Sequence, residues 1–249
     1  MRTTLQSSFN RETQRKVNLR WHLNSTLTYQ RQKFWYFQRD LSVGPLSDMV
    51  TTVNLPVVSS AAFAHGNFLM EWGVSNMLSS LQADIFIRKT VAELLFDGYN
   101  DTFMDLGSTF SDLKMKKFGY FYKRNGTTWS DGDIEMRTGE EDIERLGEIV
   151  SWNSESRTEA YEGECGRVRG SSEGLFPPGL ADITDSLSFY STDLCRPLHF
   201  TKSGLSSVHG IPVTTFDLDP DNFANSTSCP DNECYNNNLP SGVQVPALT

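Results

Sequence analysis

The stretch from Phe176 to Arg196 reads FPPGLADITDSLSFYSTDLCR, and Gly210-Ile211-Pro212 follows it closely. The segment from Leu187 to Tyr190 is short, rich in aromatic and apolar residues, and predicts a β-strand. A further strand is predicted from Ile211 to Leu218. The proline pair in FPP cannot begin a long helix at once, because proline lacks an N–H and restricts the residue before it. This part of the chain is therefore predicted to be β-structure.

The residues on either side of this stretch also favour strands. Val17, Leu19 and Trp21 alternate with polar residues, which predicts a half-buried strand that turns around Asn24-Ser25 into a hairpin. Glutamates and aspartates between 140 and 148 are interpreted as a solvated face. Further strands are predicted at Phe118–Lys123, around Ile134 and Met136, and at Ile149–Trp152.

One helical insertion interrupts this pattern between residues 57 and 96. Apolar residues recur at spacings of three and four, which predicts an amphipathic helix. His65-Gly66-Asn67 is a predicted break between two helices. Thr90 and Glu93 fit a capping box that would begin a short helix over residues 91–96, and residues 84–89 before it are predicted to be extended. The amphipathic positions are Met70, Val74, Met77, Leu78 and Leu81.

Composition narrows the classes of function. The chain has 249 residues and a formal net charge of −9, which disfavours binding to nucleic acid or, through bulk charge, to an anionic membrane. The first eight residues have no apolar core, so no signal peptide is predicted there. Residues 49–70 lack Asp, Glu, Lys and Arg but contain too many polar groups for a lipid-exposed helix. They are interpreted as buried or partner-facing structure.

The cysteines and the glycosylation sequons favour an exported domain. No cysteine pair is spaced as C-x-x-C and no histidine stands at metal-ligand spacing, so neither zinc nor another cofactor is expected. Disulfides are the favoured interpretation, and four buried free thiols are the alternative. The cysteines are Cys165, Cys195, Cys229 and Cys234, and the sequon asparagines are Asn24, Asn100, Asn125 and Asn225.

A possible nucleophile motif stands just before the opening stretch. Residues 170–174 read GSSEG, which matches G-x-S-x-G, and Asp182 and His199 follow Ser172 in the order of a hydrolase triad. The motif requires a strand before the serine and a helix directly after it. Leu175-Phe176-Pro177-Pro178 does not provide that helix, and no βαβ alternation surrounds it. A serine hydrolase is therefore the disfavoured alternative, and the chain is not expected to be an enzyme.

Several short motifs occur in the order found in one family, and together the series resembles the extracellular domain of the class B scavenger receptors. The resemblance covers roughly residues 11–234. Its pieces are Glu93–Phe96 with Gly98-Tyr99 and Asp101, Phe118–Phe121 with Asn125–Thr127, Thr138-Gly139, Trp152-Asn153, Cys165, Gly170 with Gly174, Phe176–Pro178, Phe189–Ser191, Asp193–Arg196 and Gly210–Pro212.

This resemblance implies a mixed, mainly β fold. Residues 1–235 would form part of a receptor ectodomain, namely a portion of an irregular antiparallel β-barrel crossed by an apolar tunnel and topped by a helical bundle at about 57–96. Residues 236–249 are polar and are predicted to be a disordered tail. The resemblance also implies a disulfide between Cys165 and Cys234. The family partner of Cys195 lies in a segment absent from this chain, which leaves a Cys195–Cys229 pair as a further hypothesis.

The resemblance implies that this receptor binds lipids, fatty acids, sterols or lipoproteins and passes lipid toward a plasma or lysosomal membrane. Its membrane association would come through segments absent from this chain. The helices would then recruit ligand, whereas the alternative from the sequence alone is ordinary core packing. No lysine stands in residues 78–84, where fatty-acid-handling relatives carry them. The candidate ligand-binding residues are Phe63, His65, Phe68, Met70, Trp72, Met77 and Leu78.

A second functional hypothesis is a trafficking receptor whose helices bind a luminal protein. In that case His65 would be a candidate pH switch, because the ordinary pKa of an imidazole lies between the pH values of acidic and neutral compartments. A non-functional truncation is another alternative.

Overall fold

The computed structural model describes residues 10–64, 66–101 and 117–235, apart from the side chains of Ala62, Phe63 and Ala181. The described structure is mainly β. The chain divides into two compact units. Unit 1 comprises residues 1–15 and 32–127, and unit 2 comprises residues 16–31 and 128–249.

The described residues form twelve strands and three α-helices. The strands are β1 (Asn10–Trp21), β2 (Thr26–Phe37), β3 (Met49–Val53), β4 (Phe86–Thr90), β5 (Tyr99–Asn100), β6 (Lys117–Phe118), β7 (Asp133–Arg137), β8 (Ile149–Trp152), β9 (Ser171–Ser172), β10 (Ser186–Ser191), β11 (Arg196–Val208) and β12 (Ile211–Leu218). The helices are α1 (Leu55–Ala64), α2 (Phe68–Ser80) and α3 (Leu180–Ile183), and a π-helix covers Glu93–Asp97.

The strands associate into four sheets. Their orders are β1-β2-β7-β8, β12-β11-β10-β9, β3-β4 and β5-β6. None of these sheets, as far as the described residues go, closes on itself. The mainly β character expected from the sequence is therefore present, in the form of open sheets.

Unit 1 is organised around the antiparallel pair β3–β4. Met49 pairs with Thr90 and Val53 pairs with Phe86, so α1 and α2 are an insertion between two paired strands. A core of buried apolar side chains holds the π-helix against these strands. Its buried members are Val50, Val91, Leu94, Leu95 and Tyr99.

A capping box begins the helical segment that follows β4. The Thr90 Oγ1 accepts a hydrogen bond from the Glu93 backbone N–H at 3.1 Å, and the Glu93 carboxylate accepts one from the Thr90 N–H at 2.9 Å. These bonds satisfy two backbone donors that a helix start leaves free. They also lower the pKa of Glu93, chiefly through the Thr90 backbone N–H. The segment ends at Gly98, whose φ of +67° suits glycine.

Unit 2 packs its sheets around a second core. β7 pairs antiparallel with both β2 and β8, and β10 pairs parallel with β9 and antiparallel with β11. Along each of these strands every second side chain points to the same face of the sheet, because a strand repeats every two residues. The buried core residues are Leu27, Tyr29, Ile134, Met136, Ile149, Val168 and Tyr190.

A buried charge cluster lies beside this core. The Arg31 Nε is 3.4 Å from an Asp131 carboxylate oxygen and 3.3 Å from a Glu173 carboxylate oxygen. The Asp131 side chain has no exposed surface, and the Arg31 Nη2 also donates a hydrogen bond to Thr192 at 2.7 Å. Charges this deeply buried persist because each one has an opposite partner.

Several sequence predictions are confirmed. The predicted helix corresponds to α2, the break at residues 65–67 separates α1 from α2, and the capping box forms as described. Residues 84–89 lead into β4 as an extended segment. The predicted strands around residues 134–136, 149–152, 187–190 and 211–218 are β7, β8, β10 and β12.

Other predictions are wrong. The strand predicted at Phe118–Lys123 ends at Phe118, because the Tyr120 and Phe121 N–H groups donate to the carbonyls of Leu94 and Leu95 and turn the chain around the π-helix. β1 is a strand, but of its three alternating apolar side chains only Val17 is half-buried: Leu19 is 49% and Trp21 is 70% exposed.

Candidate functional site

The loop between α1 and α2 fixes the start of α2. Gly66 has a φ of +82°, and the Asn67 side chain accepts a hydrogen bond from the Met70 N–H at 3.2 Å. The Glu71 carboxylate accepts one from the Gly66 N–H at 2.9 Å. Asparagine is a favoured N-cap and glycine a favoured residue at positive φ, so the local sequence determines where the second helix begins.

The helical pair is anchored mainly through α1. Val57 and Ala64 of α1 are buried, whereas no residue of α2 is buried. The Asn54 N–H donates to the Ile85 carbonyl at 2.7 Å, which ties the two ends of the insertion together. α2 therefore contributes little burial to the core of unit 1.

The first turn of α2 presents a continuous apolar surface. Phe68 is 77% exposed, Leu69 is 75% exposed and Trp72 is 64% exposed, and we call these three residues the apolar helix surface. Phe68 and Trp72 are four positions apart and so lie on one face of the helix. In the described structure none of the three packs into a core. Large aromatic side chains clustered in the open are typical of interaction sites.

The other candidate residues are distributed differently. Met70 is 37% exposed, and Met77 and Leu78 are half-buried further along α2. Phe63 belongs to α1, but its side chain lies outside the described residues, as does His65 entirely. Leu69 belongs to the apolar residues of the insertion but was not among the candidate ligand-binding residues, and its exposure in the structure adds it to them.

The charge on this insertion is low. Residues 55–81 contain no Lys or Arg, and Glu71 is their only acidic residue. The nearest cations in sequence, Arg88 and Lys89, belong to β4. An anionic ligand would therefore find little electrostatic attraction on the helices themselves, and apolar contact would have to dominate.

The G-x-S-x-G motif does not form a nucleophile elbow. Ser172 lies in β9 and pairs in parallel with Tyr190 of β10, and its side chain is buried. Its hydroxyl donates to the Met136 thioether at 3.1 Å rather than to a histidine. Two turn residues follow, Glu173 and Gly174, both with φ of +70°, where an elbow would begin a helix. The arrangement provides neither an exposed nucleophile nor a helix N-terminus behind it.

The cysteines of unit 2 are of two kinds. A disulfide joins Cys165 to Cys234, the pair that the resemblance implied, with 5.9 Å between the Cα atoms. Cys195 and Cys229 are free thiols, so the hypothesis of a bond between them is wrong in this structure. Burial raises the pKa of the Cys195 thiol, which favours its protonated form.

The four sequon asparagines have different surroundings. Asn24 is exposed and its amide oxygen accepts from the Thr26 hydroxyl of the same sequon, while Asn225 accepts from the Ser228 N–H. Asn100 is exposed in β5. Asn125 bonds through both amide atoms to the backbone of Trp35, each at 3.1 Å. Glycosylation of the four remains a prediction. At Asn125 the side-chain nitrogen that would carry the glycan also donates the hydrogen bond to the Trp35 carbonyl.

Among the described residues, no helix is both long and apolar enough to cross a bilayer. The same residues contain no cluster of three or more His, Cys, Asp or Glu side chains that could hold a metal ion.

Comparison with known proteins gives a consistent picture. Protein peste of Drosophila melanogaster is 36% identical over 239 residues, covering 94% of this chain and 43% of that protein. Human lysosome membrane protein 2 is 32% identical over 220 residues, covering 87% and 45%, respectively. Mouse scavenger receptor class B member 1 is 29% identical over 245 residues, covering 94% and 46%. The chain therefore spans less than half the length of these relatives.

The family model of the CD36 family matches residues 9–245. This match and the identities above confirm the resemblance to class B scavenger receptors. Nearly the whole chain takes part in the match, so the chain belongs to the CD36 family.

Proposed function

We propose that this chain is part of a scavenger receptor that captures lipids or lipoproteins and passes lipid toward a plasma or lysosomal membrane. The observation that carries the proposal is the apolar helix surface, whose three large side chains are mostly exposed. The names of its relatives, a scavenger receptor and a lysosome membrane protein, support the same kind of role. No enzymatic activity is part of the proposal.

Capture at this surface would be driven by removal of apolar area from water. Each buried CH₂ group of a lipid contributes about 0.8 kcal/mol, so even partial insertion of a chain against Phe68 and Trp72 gives useful affinity. Fatty acids, sterols and lipoprotein surfaces all offer such carbon. The absence of Lys and Arg from residues 55–81 favours ligands recognised by apolar contact over strongly anionic ones.

The proposal also includes the ectodomain architecture that the resemblance implies. Residues 1–235 would belong to one ectodomain in which the helices recruit ligand and a portion of an irregular antiparallel β-barrel carries lipid away through a tunnel. The receptor would be held at the membrane by segments outside residues 1–249, with this chain on the extracellular or luminal side. The candidate residues Phe63, His65, Met70, Met77 and Leu78 would extend the capture site beyond the apolar helix surface.

A second candidate is a trafficking receptor that binds a luminal protein through the same helices. The observation that favours it is the aromatic pair Phe68 and Trp72, because exposed Trp and Phe side chains are frequent anchors of protein interfaces. The similarity to lysosome membrane protein 2 is compatible with this role. In that case, protonation of His65 at acidic pH would release the partner.

The experiment compares binding of dye-labelled high-density lipoprotein to the secreted chain and to the double variant Phe68→Ser/Trp72→Ser. We expect the double variant to bind about 10- to 100-fold more weakly, since the two partly buried aromatic contacts together are worth about 1.4–2.8 kcal/mol. Trp21→Ser is the matched control, because Trp21 is equally exposed but belongs to unit 2. Its binding should equal that of the unmodified chain.

Unchanged binding by the double variant would remove the apolar helix surface as the capture site. The two candidate functions separate in the full-length receptor. Movement of lipid from lipoprotein into cells supports the first candidate. Tight, pH-dependent binding of a luminal protein without any lipid transfer would support the second.

A further inference from the structure

A cavity in unit 2 contains a charged group that the proposed function does not use. The cavity has a volume of about 840 Å³ and lies beside the Cys165–Cys234 disulfide. Arg196, the first residue of β11, lines it and is only 8% exposed. A guanidinium so deeply buried requires a physical explanation, because it stays charged in almost any protein environment.

The contacts of Arg196 are with aromatic rings, Tyr235 and Phe223, and an amide, and not with a described carboxylate. Its guanidinium carbon lies 3.5 Å from the centre of the Tyr235 ring, and its Nη2 donates to the Asn232 amide oxygen at 3.3 Å. Its Nε is buried and has no hydrogen-bond partner. Within the described ranges 10–64, 66–101 and 117–235, no carboxylate forms an ion pair with it. Burial of a cation is costly unless an opposite charge accompanies it.

Two further basic side chains line the same cavity. Arg169 is exposed and also forms no ion pair with any described carboxylate, and His199 lies close enough to both arginines to be affected by their charge. Burial, followed by the charges of Arg169 and Arg196, lowers the pKa of His199. The cavity therefore presents one buried guanidinium, that of Arg196, together with an exposed arginine and one imidazole.

Six acidic residues also line the cavity. Asp219 is half-buried, and its charge acts on the pKa of His199 in the opposite direction to the arginines; Glu162 is exposed at the rim with the other four. Asp221, Asp231 and Glu233 are exposed to solvent, and Glu164 is also exposed and is paired with Arg157 and Arg167 instead. A solvated carboxylate at the rim compensates a buried guanidinium only weakly, because water screens it. The rim would repel polyanions but would admit a small anion or a zwitterion whose cationic end stays outside.

We propose that this cavity is a binding site for a small oxyanion, a carboxylate or a phosphate, held by Arg196. The planar guanidinium presents its donors as a fork that matches two oxygens of such a group, and Tyr235 holds the plane of the fork in place. Residues 236–249 contain no Asp or Glu side chain, so that segment supplies no side-chain carboxylate as an internal substitute. This site is separate from the apolar helix surface and selects for charge rather than for apolar carbon.

The test follows the Nε–Hε resonance of Arg196 by ¹H–¹⁵N NMR of the full chain while inorganic phosphate is added at constant ionic strength. Arg196→Lys assigns the resonance by its disappearance. We expect a saturable shift of this resonance, with affinity about 3- to 10-fold weaker in Arg169→Gln because one exposed cation is lost. Arg145→Lys is the matched control, since Arg145 is exposed, is paired with Glu148 and does not line the cavity.

Two parallel titrations identify the source of the anion. Saturation by inorganic phosphate and by acetate supports a site for free anions. Saturation only by monomeric dihexanoylphosphatidylcholine or by hexanoate supports a site for a lipid headgroup. A shift that stays linear for every probe in the unmodified chain overturns the proposal and leaves Arg196 as a side chain held by Tyr235 and Asn232. The titration itself uses the unmodified chain, and if Arg196→Lys fails to fold, the resonance is assigned by triple-resonance NMR of that chain instead.

Discussion

Removal of the Cys165–Cys234 disulfide is expected to destabilise unit 2 strongly. The two cysteines are 69 positions apart, and the chain between them contains strands β9 to β12. In the chain-entropy description, a cross-link over a loop of this length restricts the unfolded chain by about 4 kcal/mol. The perturbation is the double variant Cys165→Ser/Cys234→Ser, which removes the bond and leaves no free thiol at either position.

The assay is urea denaturation followed by far-UV circular dichroism. With a slope of about 2 kcal/mol per molar urea, the midpoint should fall by about 2 M, and reductant added to the unmodified chain should produce the same fall. The control is Cys195→Ser/Cys229→Ser, which removes the two free thiols and keeps the disulfide. Equal midpoints for the first variant and the unmodified chain would refute the reasoning, as would an equally large fall in the control.

Four other substitutions, with Leu69→Ala as a control, test the core of unit 1, the buried charge cluster of unit 2 and the capping box. Thr90→Ala should lower the free energy of unfolding by about 1 kcal/mol in chemical denaturation, because it removes the cap of the Glu93 N–H. The folded-state pKa of Glu93 is lowered, so its stabilisation is full above its unfolded pKa and is lost as the pH falls through the folded value; Glu93→Gln should flatten that part of the stability–pH curve. Leu94→Ala should cost about 2–5 kcal/mol by calorimetry, whereas Leu69→Ala, at an exposed position, should stay within about 0.5 kcal/mol. Asp131→Asn should cost about 3 kcal/mol, because it removes a buried countercharge, and an unchanged melting temperature would contradict this.

The elements that could be predicted from the sequence depend on neighbouring residues. The capping box needs only Thr90 and Glu93, and the start of α2 needs only Gly66 and Asn67. Strands such as β7 carry their own alternation of apolar and polar side chains. Signals of this kind lie within a few positions of each other, so a single sequence is sufficient to detect them.

The elements that were missed depend on distant partners. β11, from Arg196 to Val208, is the longest strand, yet its second half is mostly exposed and has no apolar alternation. It is a strand because it pairs with β10 on one side and β12 on the other. In the same way, the strand predicted beyond Phe118 is replaced by turns because the π-helix carbonyls accept its N–H groups. Such long-range pairings leave no local pattern to detect.

In the candidate site, too, local features could be predicted from the sequence and long-range ones could not. The spacing of apolar residues predicted that α2 is a helix, and the positions on that spacing from Val74 to Leu78 form its half-buried side. The same spacing did not predict that the large side chains of the first turn are exposed. Periodicity reports which side chains share a face, and it does not report whether another element covers that face. Likewise, nothing in the sequence around Arg196 indicates that its side chain is buried without a countercharge.

The two proposed sites differ in their relation to stability, and this difference determines how each must be tested. Phe68, Leu69 and Trp72 add little to the core of unit 1, so their substitution should change binding while folding is preserved. Arg196 is buried against Tyr235 and Asn232, so its substitution changes packing as well as charge. A loss of binding in a variant is therefore decisive for the apolar helix surface. For the cavity around Arg196, the decisive evidence is a saturable response of the unmodified arginine itself.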